Sequence, residues 1–115
     1  MKSLMLAAML AGLAGPAFAD GAALFQQRCA GCHTISGKSS PGGPSLKGVV
    51  GRKLASLADF NYSPGLKAKG GTWTAASLDA FLATPAAFAP GSRMFVSVPA
   101  AADRAALVAY LASLK

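Results

Sequence analysis

Apolar residues are distributed in two ways along this chain. Residues 4–19, LMLAAMLAGLAGPAFA, are apolar throughout. From Asp20 onwards apolar residues form short stripes of helical period, separated by stretches rich in glycine and proline. The segment DGAALFQQRCAGCH, residues 20–33, predicts a short helix with Asp20 as its N-cap. Phe25, Cys29 and Cys32 fall at i, i+4 and i+7 and share one face, and Gly31 weakens the helix near its end. TAASLDAFLA, residues 74–83, predicts a second helix capped by Thr74 and stopped by Pro85, with Leu78, Phe81 and Leu82 on one face. The last stretch, AAADRAALVAYLASLK, is the clearest helix, with Leu107, Tyr110, Leu111 and Leu114 at i, i+3, i+4 and i+7. A single turn of helix is expected around Leu54–Ala58.

The remainder reads as loop. Residues 34–51 hold five glycines and two prolines, too many for a regular helix or a sheet core. The rest of the stretch around residues 51–73 is expected to be loop, and PAAFAPGSRMFVSVP, residues 85–99, is broken by Pro85, Pro90 and Pro99. No strand alternation and no internal repeat is visible. The expected fold is therefore all-α, a small single domain of three main helices and long loops. A domain of this size with so little regular structure is short of core, so something besides protein is expected to fill its middle.

The apolar start reads as an address. Lys2 precedes the apolar run, and Ala17-Phe18-Ala19 is a small-x-small cleavage pattern, so residues 1–19 are expected to be a signal peptide cut before Asp20. The competing reading, an uncleaved anchor, is disfavoured: the run from Leu4 to Ala19 is 16 residues and contains Gly12, Gly15 and Pro16, short of the ~20 needed to span. Residues 20–115 then form the exported domain, periplasmic and with no membrane span. It keeps ten basic and four acidic residues, a formal charge of +6. Export and positive charge point to partners with an acidic surface and away from nucleic acid. Asp20, Asp59, Asp79 and Asp103 are scattered and glutamate is absent, which supplies paired-carboxylate chemistry poorly.

The chemistry is concentrated in Cys29-Ala30-Gly31-Cys32-His33, which holds both cysteines and the only histidine. A disulfide suits an exported chain. A thioredoxin-like site requires a strand before the motif, whereas a helix is predicted there. A zinc site requires about four ligands, more than the chain supplies as cysteine and histidine. Covalent attachment of one c-type haem explains the spacing best: two thiols three residues apart can each form a thioether, and the adjacent histidine reaches the iron from the same side. After cleavage Met94 is the only methionine, which nominates it as the second axial ligand, with a lysine or an open position as the other options. His/Met ligation favours the reduced iron.

CAGCH, GPSLKGVVGR, FNYSPGLKAKGGTW, FLATP, PGSRM and LVAYL, in this order, closely resemble the class I cytochrome c family of bacterial periplasmic and mitochondrial carriers. The resemblance covers Gly21 to Leu114. It implies that Cys29 and Cys32 hold haem c, with His33 and Met94 on the iron and the Pro44 carbonyl accepting the His33 N–H. Arg52, Tyr62 and Trp73 match residues that partner a buried haem propionate, and Gly21, Phe25 and Tyr110 match the crossing of the first and last helices. Phe81 departs from the pattern where many members carry tyrosine, as do Ala86 and Ala87 where mitochondrial members carry docking lysines. Arg28, Lys47 and Arg93 remain as candidate docking charges. The function implied is a monomeric, non-enzymatic electron carrier moving between redox partner proteins. The alternative is a haem-bearing electron-transfer subunit of a periplasmic oxidoreductase complex.

Overall fold

The computed structural model describes residues 20–115, so the expected signal peptide lies outside the described residues. Among the described residues five helices follow in order: α1 (Gly21–Arg28), α2 (Pro64–Lys69), α3 (Ala75–Ala83), α4 (Pro85–Phe88) and α5 (Ala101–Ala112). Among the described residues there is no strand, only the isolated bridges Ser40–Gly43 and Lys53–Thr72.

Local chemistry sets the helix ends. The Asp20 carboxylate accepts from the N–H groups of Ala22 and Ala23 at 3.0 and 3.3 Å, which satisfies two of the free donors that open α1. Thr74 and Ser77 cap each other reciprocally at the start of α3, a capping box in which serine stands in the usual Glu/Gln position. α3 ends at Ala83, before Pro85, as the sequence predicts.

Three expectations are corrected. The first helix ends at Arg28, and Cys29 to His33 is a turn, with the N–H groups of Cys32 and His33 both donating to the Cys29 carbonyl at 3.1 and 2.9 Å. Leu54–Ala58 is not helical: Ala55 sits at φ 54°, the only non-glycine residue with positive φ among those described, and that conformation breaks a helix. Residues 64–69 and 85–88, expected as loop, form α2 and α4. In both a proline occupies the first turn, where its missing N–H costs nothing.

α5 is the central strut, packed against α1 on one side and α3 on the other. At the first crossing the backbones touch. A Cβ placed on Gly21 would lie 2.3 Å from the Ala106 carbonyl oxygen and 2.7 Å from Tyr110 Cβ, so only glycine permits this approach. Phe25 packs beside Tyr110 with ring centroids 5.6 Å apart. Phe25, Val49, Leu54, Trp73, Leu78, Leu82, Val98, Leu107 and Leu111 form one buried cluster. The loops close over it through backbone bonds such as Gly51 N–H to Trp73 O and Val98 N–H to Leu82 O, at 2.7 and 2.8 Å.

Candidate functional site

The helices and the long loops enclose a cavity of about 340 Å³. Its apolar surface comes from Leu46, Val49, Leu78, Leu82, Leu107 and Leu111. Cys29, Cys32 and His33 reach it from the turn that follows α1, and Met94 from the segment between α4 and α5. Pro44, Arg52, Tyr62 and Trp73 also line it. All eight residues singled out in the sequence therefore meet at one cavity.

The turn after α1 aims the donors. The two thiols are not joined to each other. Burial pushes the Cys29 thiol up, the positive charge of Arg28 opposes this, and Cys32 adds to the rise. His33 Nδ1 lies 2.8 Å from the Pro44 carbonyl oxygen. A carbonyl only accepts, so Nδ1 carries the proton and Nε2 keeps a free lone pair. Burial lowers the His33 pKa, the Pro44 hydrogen bond pulls the other way, and Arg52 lowers it further. The ring is thus neutral at pH 7 and fit to ligate a metal. Gly43 backs it closely: a Cβ there would lie 2.8 Å from ring atoms Cε1 and Nδ1.

On another side of the cavity, Arg52 donates to the Ser45 carbonyl at 2.8 Å and to the Lys47 carbonyl at 3.2 Å. Burial lowers its pKa, opposed by Tyr62 and Asp59, and a guanidinium remains charged throughout. The Tyr62 hydroxyl oxygen accepts from the Leu57 N–H at 3.2 Å, which leaves its proton for a second partner. A guanidinium in no salt bridge among the described residues, a hydroxyl with its proton to give and an indole at one apolar cavity suit a buried anionic group, which needs such partners. The Trp73 ring is fixed by Phe81 and Phe88, with centroids 5.3 and 5.6 Å away, and Lys69 Nζ stands 4.5 Å over the Phe88 ring.

The donor set fits a haem attached through two thioethers: two unpaired thiols, a neutral imidazole with an oriented lone pair, a thioether sulfur and an apolar enclosure. A cytochrome c family model matches residues 18–115. The chain belongs to the cytochrome c family. A cytochrome c of Tetrahymena pyriformis is 45% identical over 92 residues, covering 79% of this chain and 83% of that protein. The cytochrome c-type cyt cy of Rhodobacter capsulatus is 46% identical over 91 residues, covering 78% of this chain, but the match spans only 45% of that protein. Among solved structures, cytochrome cH from Methylobacterium extorquens superposes with a TM-score of 0.73 at 37% identity, covering 83% of this chain and 99% of that one. Membership makes this a small all-α electron-transfer protein with one covalently attached haem c and its iron. No helix among the described residues is long and apolar enough to cross a membrane.

Sequence reasoning missed part of this cytochrome's site. Gly43 and Gly65 carry no chemistry, yet Gly65 lets α2 approach the Pro90 carbonyl, which a Cβ would meet at 2.0 Å. Ser39, Ser45 and Asp59 form a hydrogen-bonded hub behind Pro44. Ser39 and Ser45 in the Gly-Ser-Pro loop, and Asp59 beyond it, gave no periodic signal to find them by.

Proposed function

We propose that this chain is a periplasmic electron carrier, exported by a signal peptide cut after Ala19. In this reading Cys29 and Cys32 would hold the haem through thioethers, and His33 Nε2 and Met94 Sδ would ligate its iron. Arg52, Tyr62 and Trp73 receive a propionate. One observation carries the proposal: a single apolar cavity has both thiols and the only imidazole at one turn, and among the described residues Met94 is the only other soft donor on its wall. No lysine lines it among the described residues, which weighs against the lysine option.

When bound, the haem supplies a one-electron Fe(III)/Fe(II) couple. The protein supplies the setting. Pro44 holds the imidazole in one tautomer and raises its basicity. The thioether of Met94 favours the reduced iron. With His33 and Met94 both given to the iron, the chain would offer it no place for substrate, which supports a carrier over an enzyme. The apolar walls keep water away, so little has to rearrange when the charge changes.

Replacing the proposed ligand tests this. In the ferric holoprotein, Met94→Ala is expected to abolish the weak absorption band at the red edge of the visible spectrum. It should also lower the potential by more than about 59 mV, the tenfold equivalent for one electron. An unchanged band and potential would remove Met94 from the iron.

A further inference from the structure

A continuous line of hydrogen bonds runs from the surface to His33 through one peptide group. The Asp59 carboxylate takes two bonds from Ser39, from the N–H at 2.8 Å and from Oγ–H at 2.7 Å. Ser39 Oγ in turn accepts the Ser45 N–H at 3.0 Å. That N–H belongs to the same planar amide as the Pro44 carbonyl, which accepts His33 Nδ1–H at 2.8 Å. The two ends of one amide dipole are thus engaged in line, with an anion behind the N–H and the imidazole in front of the carbonyl. Ser45 is fully buried, and its own carbonyl is held by Arg52, so the amide cannot swing away. Asp59 itself is exposed. Arg52 acts on it through its field, and Arg93 shares a surface depression with it.

We propose that Asp59 and Ser39 are positioning residues that tune the basicity of His33 through the Pro44–Ser45 amide, and so set the reduction potential. This rests on His33 as an iron ligand. Hydrogen bonds in a chain polarise one another. A carboxylate on Ser39 makes Oγ a stronger acceptor, which draws the Ser45 N–H and enriches the Pro44 oxygen. The His33 N–H bond then stretches towards imidazolate, and a more anionic ligand stabilises the ferric iron. Asp59 therefore holds the potential down. Cutting the relay shifts the ferrous-to-ferric ratio at fixed potential towards ferrous by about two- to tenfold, if the carboxylate strengthens the last bond by the 10–30% typical of a chain.

The test is a double-mutant cycle on the ferrous and ferric holoprotein, with Asp59→Asn, Ser39→Ala and both together. It is run at roughly 0.5 M salt, where the Debye length is well under about 8 Å and the through-space field of an exposed carboxylate is suppressed. The potential is measured together with the proton chemical shift of His33 Nδ1–H in the diamagnetic ferrous state. Each single variant should raise the potential and move that proton upfield, and the double variant should do no more than either. Ser39→Thr, which keeps the hydroxyl, should restore both values. Additive shifts of potential with an unmoved Nδ1–H would mean that Asp59 acts only as a distant charge, and would overturn the relay. His33 ring protons lacking the large upfield displacement given by an adjacent haem would instead overturn the ligand assignment beneath it.

Discussion

Asp59 shows how much one exposed residue can do in a loop-rich fold. Its carboxyl is held below the ordinary value of 3.8, first by the Ser39 N–H and then by the Ser39 hydroxyl. A folded-state pKa below the unfolded one means that the native protein binds this proton more weakly than the open chain does. The stabilisation is therefore complete at neutral pH, above the unfolded value, and is lost as pH falls through the lower folded value. The difference in unfolding midpoint between wild type and Asp59→Asn, followed by circular dichroism in denaturant, should be steady near pH 7. It should close as the pH drops below about 4, the unfolded carboxylate value. A difference that persists or widens in acid would show that the carboxylate is not what ties residues 37–46 to residues 57–61.

At the scale of elements the fold depends on one close crossing. Gly21 allows α1 to rest on α5 at backbone contact, and Phe25, Leu107 and Leu111 are buried around it. Gly21→Ala should part the helices and destabilise the holoprotein by about 1–3 kcal/mol, the usual cost of overpacking. Denaturant titration with an unchanged slope would measure it, and a variant as stable as wild type would show that the crossing has slack. α1, α3 and α5 were legible because each carries an apolar stripe, and α1 and α3 also carry a side-chain cap that the sequence displays. α2 was not, because Pro64-Gly65 looks like a turn and no residue of α2 is buried. Yet its start was written in the chain: Ser63 caps it, accepting from the Leu66 N–H, and proline follows at the first position. The turn at Cys29–His33 misled for the opposite reason. Its residues continue the helical spacing of Phe25, so periodicity alone extends α1 through the motif. The eight residues that line the cavity were legible from their chemistry and their order. The Asp59–Ser39–Ser45 hub was not, since it joins residues twenty positions apart through loops whose path no pattern encodes.

For the whole molecule the deciding quantity is charge. From Asp20 onwards the formal charge is +6, and two haem propionates reduce it to about +4 at neutral pH. Arg28, at the end of α1, and Lys47 are exposed. Arg93 is exposed too, but its guanidinium is committed to the Asn61 carbonyl at 2.7 Å, so its replacement would disturb a loop as well as a charge. A free carrier of this charge meets an acidic partner by steered diffusion, which raises the encounter rate by about tenfold or more. The second-order rate of electron transfer to the physiological partner, measured by stopped flow, should then fall by about that factor as salt rises and the Debye length shrinks from about 30 Å at 0.01 M to about 8 Å at 0.15 M. Arg28→Glu and Lys47→Glu should slow the reaction at low salt and flatten its salt dependence, while Lys115→Glu, at the chain end, should matter less. A permanent subunit would instead transfer electrons in a first-order step nearly independent of salt. A flat series, unchanged by Arg28→Glu, would therefore replace the carrier with the subunit. A falling series with Arg28 and Lys47 dominant would mean that this basic surface is sufficient to guide the partner in.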